Sequence, residues 1–321
     1  MTKRDVTILV LGNFDDEAVE RLSREFTVRR IPHGDAALVD PVWAKKVRGI
    51  ASMSKVDAAL IDALPDLEIV GNFGVGYNDV DAKHAAAKNV MVTNTPDVLT
   101  DEVADTAIGL LIDTVRELSK AEAFLRAGRW EKGSYPISRL SLRGRRVGIF
   151  GLGRIGKSIA RRIEAFGLPV AYHNRHEVEG VAYDYYPSLP ELARAVDTLI
   201  LAAPGGPETA KAVDAEVLKA LGPDGVLINI GRGSLVDEDA LAAALKDGTI
   251  AAAGLDVFAN EPHVPQGLLD APNTVLLPHI ASASRKTRQA MGDLVIDNLI
   301  AWFDTGRALT PVPETAAVGK R

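Results

Sequence analysis

Phe150-Gly151-Leu152-Gly153-Arg154-Ile155-Gly156 is the stretch on which the reading of this chain turns. A G-x-G-x-x-G spacing says little alone. Here it follows an apolar run, Val147 to Phe150, and opens a helical stretch, Lys157 to Phe166. That strand–turn–helix context is the one in which the spacing binds a dinucleotide. Gly151 permits the tight turn, Gly153 lets the backbone approach a pyrophosphate, and Gly156 allows close helix–strand packing. The helix N-terminus then turns N–H groups and a positive dipole toward the phosphates. Leu152, Arg154 and Ile155, lying between the glycines, join them as cofactor contacts.

Downstream, the next strand, Val170–His173, runs into Asn174-Arg175. An NAD-binding lobe places an acid here, ~20 residues beyond the first glycine, to hold the ribose hydroxyls. No acid occurs before Glu177. Arg175 can pair with a 2′-phosphate and Asn174 can donate to it, so NADP(H) is expected in preference to NAD(H), which stays possible. The bland alternative for Arg175 is a solvated surface cation.

Further apolar runs follow at Thr198–Ala202, Val226–Ile230, Ala251–Leu255 and Thr274–Leu277. Three segments after such strands carry chemistry: Asn229-Ile230-Gly231-Arg232-Gly233, then Gly254-Leu255-Asp256-Val257-Phe258 leading to Asn260-Glu261-Pro262, then Leu277-Pro278-His279-Ile280-Ala281. The carboxyl ends of strands in an open parallel sheet surround the ligand, so Arg232, Glu261 and His279 are expected to converge. A guanidinium binds a carboxylate through two parallel hydrogen bonds. An imidazolium donates a proton to a carbonyl oxygen as hydride reaches its carbon. A carboxylate beside the imidazole stabilises its charged form. Singly, each residue is more often a turn, a cap or a loop histidine than a catalyst.

A complete α/β series precedes the fingerprint, with strands expected at Val6–Leu11, Thr27–Arg30, Gly49–Ala51, Leu67–Asn72 and Met91–Thr93, and helices such as Asp15–Glu25 and Asp79–Lys88. The fold class is therefore α/β, with two doubly wound parallel-sheet lobes and the active site expected in a cleft between them. The division is expected as 1–99 plus 288–321 for the substrate domain and 100–287 for the dinucleotide domain. Long helices at about 100–127 and 284–303 are the expected crossings. Thr100 caps the first of these, Asp101 and Glu102 suit its dipole, and Gly128 ends it. After Pro313 the apolar pattern stops, and disorder is expected.

Bulk properties narrow the partners. A chain of 321 residues exceeds the roughly 250–300 at which single cores stop growing, which favours two domains. Its 37 basic and 43 acidic residues give a net charge of −6, which argues against a nucleic-acid surface. The absence of cysteine excludes disulfides and a thiol nucleophile. No apolar run approaches the ~18 residues of a membrane span, so a cytoplasmic protein is expected. Of the six histidines only His173 and His176 lie close in sequence, and no metal is expected.

On these motifs, together with Gly71-Asn72-Phe73-Gly74-Val75-Gly76-Tyr77-Asn78, the sequence resembles the D-isomer-specific 2-hydroxyacid dehydrogenases. Within them it is similar to the glyoxylate/hydroxypyruvate and hydroxyphenylpyruvate reductases, from about Leu60 to Pro313. The resemblance implies a flavodoxin-like substrate lobe, a Rossmann cofactor lobe, and NADPH-dependent reduction of a small 2-oxo acid to the D-2-hydroxy acid. It implies that Arg232 binds the substrate carboxylate and 2-oxo group, that His279 is the general acid, and that Glu261 supports it. Backbone N–H groups of Val75 and Gly76 would hold the carboxylate, and Ser52 and Met53 would face the substrate. Ala203, Pro204, Thr209, Ile230, Gly231, Asp256 and Ala281, with Arg232 and His279, would line the cofactor. The helix at 100–127 and the stretch Trp130 to Ile137 would meet a second copy in a homodimer.

Departures from the resemblance are small: Ala281 where relatives often carry glycine, a 202–206 loop without their cysteine and leucine, and a less typical Ala51–Ser54 loop. Alternatives are another substrate for the same chemistry, such as hydroxyphenylpyruvate or phosphoglycerate, and a cofactor-sensing, corepressor-like binding protein.

Overall fold

A computed structural model describes residues 3–319. Their contacts divide into two compact units, one reaching Leu99 and resuming at Ser284, the other running from Thr100 to Ala283.

The first unit holds β1 (Thr7–Leu11), β2 (Thr27–Ile31), β3 (Val47–Ser52), β4 (Ile69–Asn72) and β5 (Met91–Thr93), all parallel, in the order β2-β1-β3-β4-β5. This is the flavodoxin-like order. Central strands covered on both faces read as unbroken apolar runs, and all five residues of β1 are buried. Their side chains alternate. Leu9 and Leu11 join a cluster with Ile50, Leu60 and Val70, while Ile8 and Val10 join one with Ile69, Leu299 and Trp302. The edge strand β2 buries only Ile31 and exposes Arg29 and Arg30. Leu299 and Trp302 belong to the helix Arg285–Thr305, which is capped by Ser284 and covers one face of this sheet. The 287/288 boundary expected from sequence falls inside that helix, and the compact unit begins at Ser284.

The second unit holds β6 (Val147–Phe150), β7 (Val170–His173), β8 (Asp184–Tyr185), β9 (Thr198–Leu201), β10 (Val226–Asn229), β11 (Ala252–Leu255) and β12 (Thr274–Leu276), again all parallel. Their order is β12-β11-β10-β9-β6-β7-β8. The chain builds outward from β6 to β8 and then restarts at β9 on the other side of β6. The order thus reverses at β6, the switch point where such sheets take their ligands. Both sheets are open and doubly wound, as the alternating pattern implied. Two-residue β8 escaped the sequence reading because nothing that short shows a period.

Three expectations fail. The helix expected at 100–127 is broken at Glu117, whose φ of 55° is left-handed, into Thr100–Arg116 and Leu118–Arg126. The Asp113 carboxylate stabilises the break by accepting from the Ser119 N–H at 2.8 Å and its hydroxyl at 3.1 Å. Thr100 is the first helical residue and no cap, and its buried hydroxyl has no partner among the described residues. The disorder expected after Pro313 is also overturned as far as Gly319. Thr315 is fully buried, with its hydroxyl accepting from the Val92 N–H at 3.0 Å and donating to Val92 O at 3.1 Å. Two anchoring residues, Val312 and Thr315, are too few to register as a pattern. Lys320 and Arg321 lie outside the described residues. No described helix is long and apolar enough to cross a membrane.

Candidate active site

The three fingerprint glycines are required for different reasons. Gly151 has φ +100°, and a Cβ there would lie 2.5 Å from Ala203 N. A Cβ on Gly156 would lie 2.2 Å from Gly151 O. Around Gly153 nothing stands within 4 Å of where a Cβ would be. The chain does not need that glycine for its own packing, yet it leaves a cradle open above the first turn of the helix Arg154–Ala165, whose N–H groups lack intrahelical acceptors. The residues present fit a dinucleotide pyrophosphate at this point.

Asn174 is tied to the cradle: its Oδ1 accepts from the Leu152 N–H at 2.7 Å. Its Nδ2 has no acceptor among the described residues and is available as a donor. Arg175 is exposed, and its guanidinium lies 3.2 Å from the Glu208 carboxylate. Glu208 sits in the loop after β9, whose turn Thr209 closes by donating from its hydroxyl to Pro204 O (2.9 Å) and Gly206 O (3.3 Å). Ala203 and Ile230 are buried beside it, Pro204 is exposed, and Gly231 packs against Ala203 O, where a Cβ would fall at 2.9 Å.

The chemistry-bearing side chains lie after β10, β11 and β12. Asn229, at the end of β10, shapes the arginine loop: its Oδ1 accepts from the Gly231 N–H and its Nδ2 donates to Arg232 O, both at 3.0 Å. Arg232 is half-buried and donates to Gly231 O at 2.6 Å. The next residue, Gly233, lies so close to Phe258 that a Cβ would fall 1.8 Å from its carbonyl carbon. The arginine loop and the Glu261 loop are thereby locked backbone to backbone.

His279 takes an unusual left-handed φ of 53°. Such a conformation costs about 1–2 kcal/mol in a residue with a Cβ and persists only where the surroundings impose it. Here Asp256 imposes it. Its backbone O accepts from the His279 N–H at 2.8 Å, and its carboxylate takes the Ile280 and Ala281 N–H groups at 2.7 and 2.8 Å. Burial pushes the Asp256 pKa up, and those two N–H groups hold back only part of the rise. Asp256 and Ala281, both read as cofactor-lining, are buried, and the Ala281 N–H is spent on Asp256.

His279 Nδ1 meets Glu261 Oε2 at 2.7 Å, while Glu261 Oε1 accepts from the Phe258 N–H at 3.0 Å. Burial pushes the Glu261 carboxyl up. The hydrogen bonds from His279 and Phe258 and the positive charges of His279 and Arg232 outweigh it, so its pKa lies below the ordinary value. Glu261 therefore stays ionised beside the imidazole, and with Nδ1 engaged, Nε2 is the nitrogen left to face a ligand. The arrangement is an imidazole ring oriented by a carboxylate, with a guanidinium loop locked beside it.

In the first unit, the Gly74-Val75-Gly76 loop follows β4. Asn72, buried, donates from Nδ2 to Gly74 O (3.2 Å) and Gly76 O (3.1 Å), and Asn94 donates to Val75 O at 2.8 Å. The Thr95 N–H adds a second bond to Gly74 O at 2.9 Å. The N–H groups of Val75 and Gly76 donate to no acceptor among the described residues. Ser52 is fully buried and shares hydrogen bonds with the Ser54 backbone, whereas Met53 is 39% exposed, so of the two only Met53 has surface to offer a ligand.

Sequence reading missed Asn72, Asn94, Glu208 and Glu238, whose Oε1 accepts from the Ala259 N–H at 2.9 Å just before the Glu261 turn. Asn72 was inside a quoted motif, and a polar residue closing an apolar strand was the available signal. For the others, nothing in local pattern distinguishes them from ordinary surface residues.

Comparison with known proteins identifies the family. Residues 108–281 match the family model for the NAD binding domain of D-isomer specific 2-hydroxyacid dehydrogenases. A crystal structure of an NADPH-dependent glyoxylate/hydroxypyruvate reductase from Sinorhizobium meliloti, in complex with NADP and malonate, superposes with a TM-score of 0.96, is 59% identical and covers 99% of each chain. Hydroxyphenylpyruvate reductase of Plectranthus scutellarioides is 48% identical over 84% of this chain and 86% of its own. Glyoxylate/hydroxypyruvate reductase A of Arabidopsis thaliana is 48% identical over 80% and 82%. With a matched cofactor lobe, relatives this similar along most of their length, and a glycine cradle, arginine loop and histidine–glutamate pair each after its own strand, the chain belongs to the D-isomer specific 2-hydroxyacid dehydrogenase family.

Proposed function

We propose that the protein is an NADPH-preferring reductase of small 2-oxo acids, with glyoxylate and hydroxypyruvate as first substrates, working in the cytoplasm as a homodimer. The observation that carries this reading is the His279–Glu261 pair at 2.7 Å on the locked loops that also bear Arg232. The Gly151–Gly156 loop would hold NADPH, which when bound would supply the hydride for the carbonyl carbon. Arg232 holds the carboxylate and the 2-oxo oxygen, and His279 passes the proton from Nε2 to that oxygen. Glu261 keeps the ring oriented, its Oε2 2.7 Å from Nδ1, so that Nε2 faces the substrate. The Val75 and Gly76 amides are read as further carboxylate donors, and Asn174 with Arg175 as the contact for the 2′-phosphate.

His279→Gln is expected to lower turnover by about 10²–10⁴-fold while nicotinamide fluorescence still reports NADPH binding. Turnover near that of the parent would remove His279 from the role. Reduction requires the protonated imidazole, so it fades as pH rises. Glu261→Gln removes the adjacent anion and is expected to move that fall to lower pH. In the parent the carboxylate half of the pair is lost on the acid side, because the depressed Glu261 pKa keeps it ionised until pH falls below the usual glutamate range. Identical pH profiles for parent and variant would take Glu261 out of the mechanism.

Support for the dimer comes from exposed apolar side chains gathered between residues 118 and 137: Leu118, Leu125, Trp130 and Ile137, the last 98% exposed. Sedimentation showing a monomer at micromolar concentration would refute it.

A further inference from the structure

β7 and β9 flank β6 on its two sides, and the loop after β6 is the glycine cradle. Arg175 comes from beyond β7 and Glu208 from the loop after β9, so their ion pair at 3.2 Å joins the two loops on either side of the switch point. The cradle thus lies, in strand order, between the loops that carry the two side chains. Glu208 supplies, from another strand, the carboxylate that the end of β7 lacks.

We propose that Glu208 is a specificity-determining residue that limits the preference for a phosphorylated cofactor. The inference rests on the reading of Arg175 as the 2′-phosphate contact. A phosphate monoester carries about −1.5 to −2 charges near neutrality. To reach Arg175 it must displace the Glu208 carboxylate or sit beside it, and like charges at that range repel. A ribose with a free 2′-hydroxyl meets no such cost, because a carboxylate accepts hydrogen bonds from hydroxyls. Both partners are largely exposed, 83% for Arg175 and 77% for Glu208, so the pair is weak enough for a ligand to open. Lys211, a cation near Glu208 in sequence, is held by Asp237 at 3.0 Å. The backbone under Glu208 is fixed by the Thr209 bonds to Pro204 and Gly206, so the carboxylate stays in reach of Arg175.

The test is equilibrium binding of NADPH and NADH, followed by nicotinamide fluorescence, and of the fragments 2′-AMP and 5′-AMP by calorimetry. Parent, Glu208→Gln, Arg175→Ala and the double variant are compared, with thermal melting as the check on folding. Glu208→Gln is expected to tighten NADPH and 2′-AMP by about two- to fivefold while leaving NADH and 5′-AMP equal or weaker. The gain should shrink as salt is added and vanish in the Arg175→Ala background. An unchanged NADPH-to-NADH affinity ratio in Glu208→Gln, or the same change for both cofactors, overturns the proposal. Arg175→Ala with an unaltered ratio overturns instead the reading of Arg175 on which it rests.

Discussion

The loops at Gly151–Gly156 and Gly74–Gly76 each turn backbone N–H groups outward, and they hold them by different means. In the first, sterics do the work. The turn at Gly151 and the approach of Gly156 to its carbonyl leave no room for side chains, and a helix start orients the donors. In the second, three consecutive carbonyls are pinned by the side-chain amides of Asn72 and Asn94. A trans peptide is planar, so fixing the Gly74 and Val75 carbonyls on one side fixes the Val75 and Gly76 N–H groups on the other. Excluded volume makes the first loop rigid. The second depends on a few hydrogen bonds, each worth about 1 kcal/mol.

Gly151→Ala strikes the steric loop where it has no slack and carries the largest expected effect. Its Cβ would overlap Ala203 backbone at a φ that alanine disfavours, so a lower melting temperature and loss of NADPH binding are expected together. A variant that melts with the parent and binds NADPH normally would show that the loop yields.

Gly153→Ala separates folding from binding in the same loop. With nothing within 4 Å of the new methyl, melting should stay within about 0.5 kcal/mol of the parent. NADPH affinity should nevertheless fall by at least about tenfold, because the methyl takes space the pyrophosphate backbone approach requires. Unchanged fluorescence titrations would mean that the cradle does not take the pyrophosphate.

The same contrast explains what was legible in the sequence. A loop constrained by excluded volume must be written in glycine at fixed spacing, so Gly151, Gly153 and Gly156 announced both the turn and its ligand. The strands were legible for a like reason: burial on two faces demands continuous apolar runs such as Ile8–Leu11. A loop constrained by hydrogen bonds can take its donors from anywhere the fold brings near, and Asn94 lies 19 residues from the carbonyl it holds. Asp256 was legible as part of a motif, but its act is to bend the chain at His279, and no local pattern states that. Glu117 and Thr315 were misread because one left-handed residue, or one buried hydroxyl, leaves no periodic trace.

Asn72→Ala probes the second loop and carries the smallest effect. It removes two hydrogen bonds from a buried amide, at a stability cost of about 1–3 kcal/mol, releases the Gly76 carbonyl and leaves the Gly74 carbonyl to the Thr95 N–H alone. If the Val75 and Gly76 N–H groups hold the substrate carboxylate, the KM for a 2-oxo acid should rise by about five- to tenfold with the KM for NADPH unmoved. The uncharged 2-oxo amide, which gains less from those donors, should lose less. Equal losses for acid and amide would mean that the loop shapes the site without binding the carboxylate. No loss for either would mean that the Thr95 and Asn94 bonds suffice to hold the peptide planes, and that this loop too is stiffer than its hydrogen bonds imply.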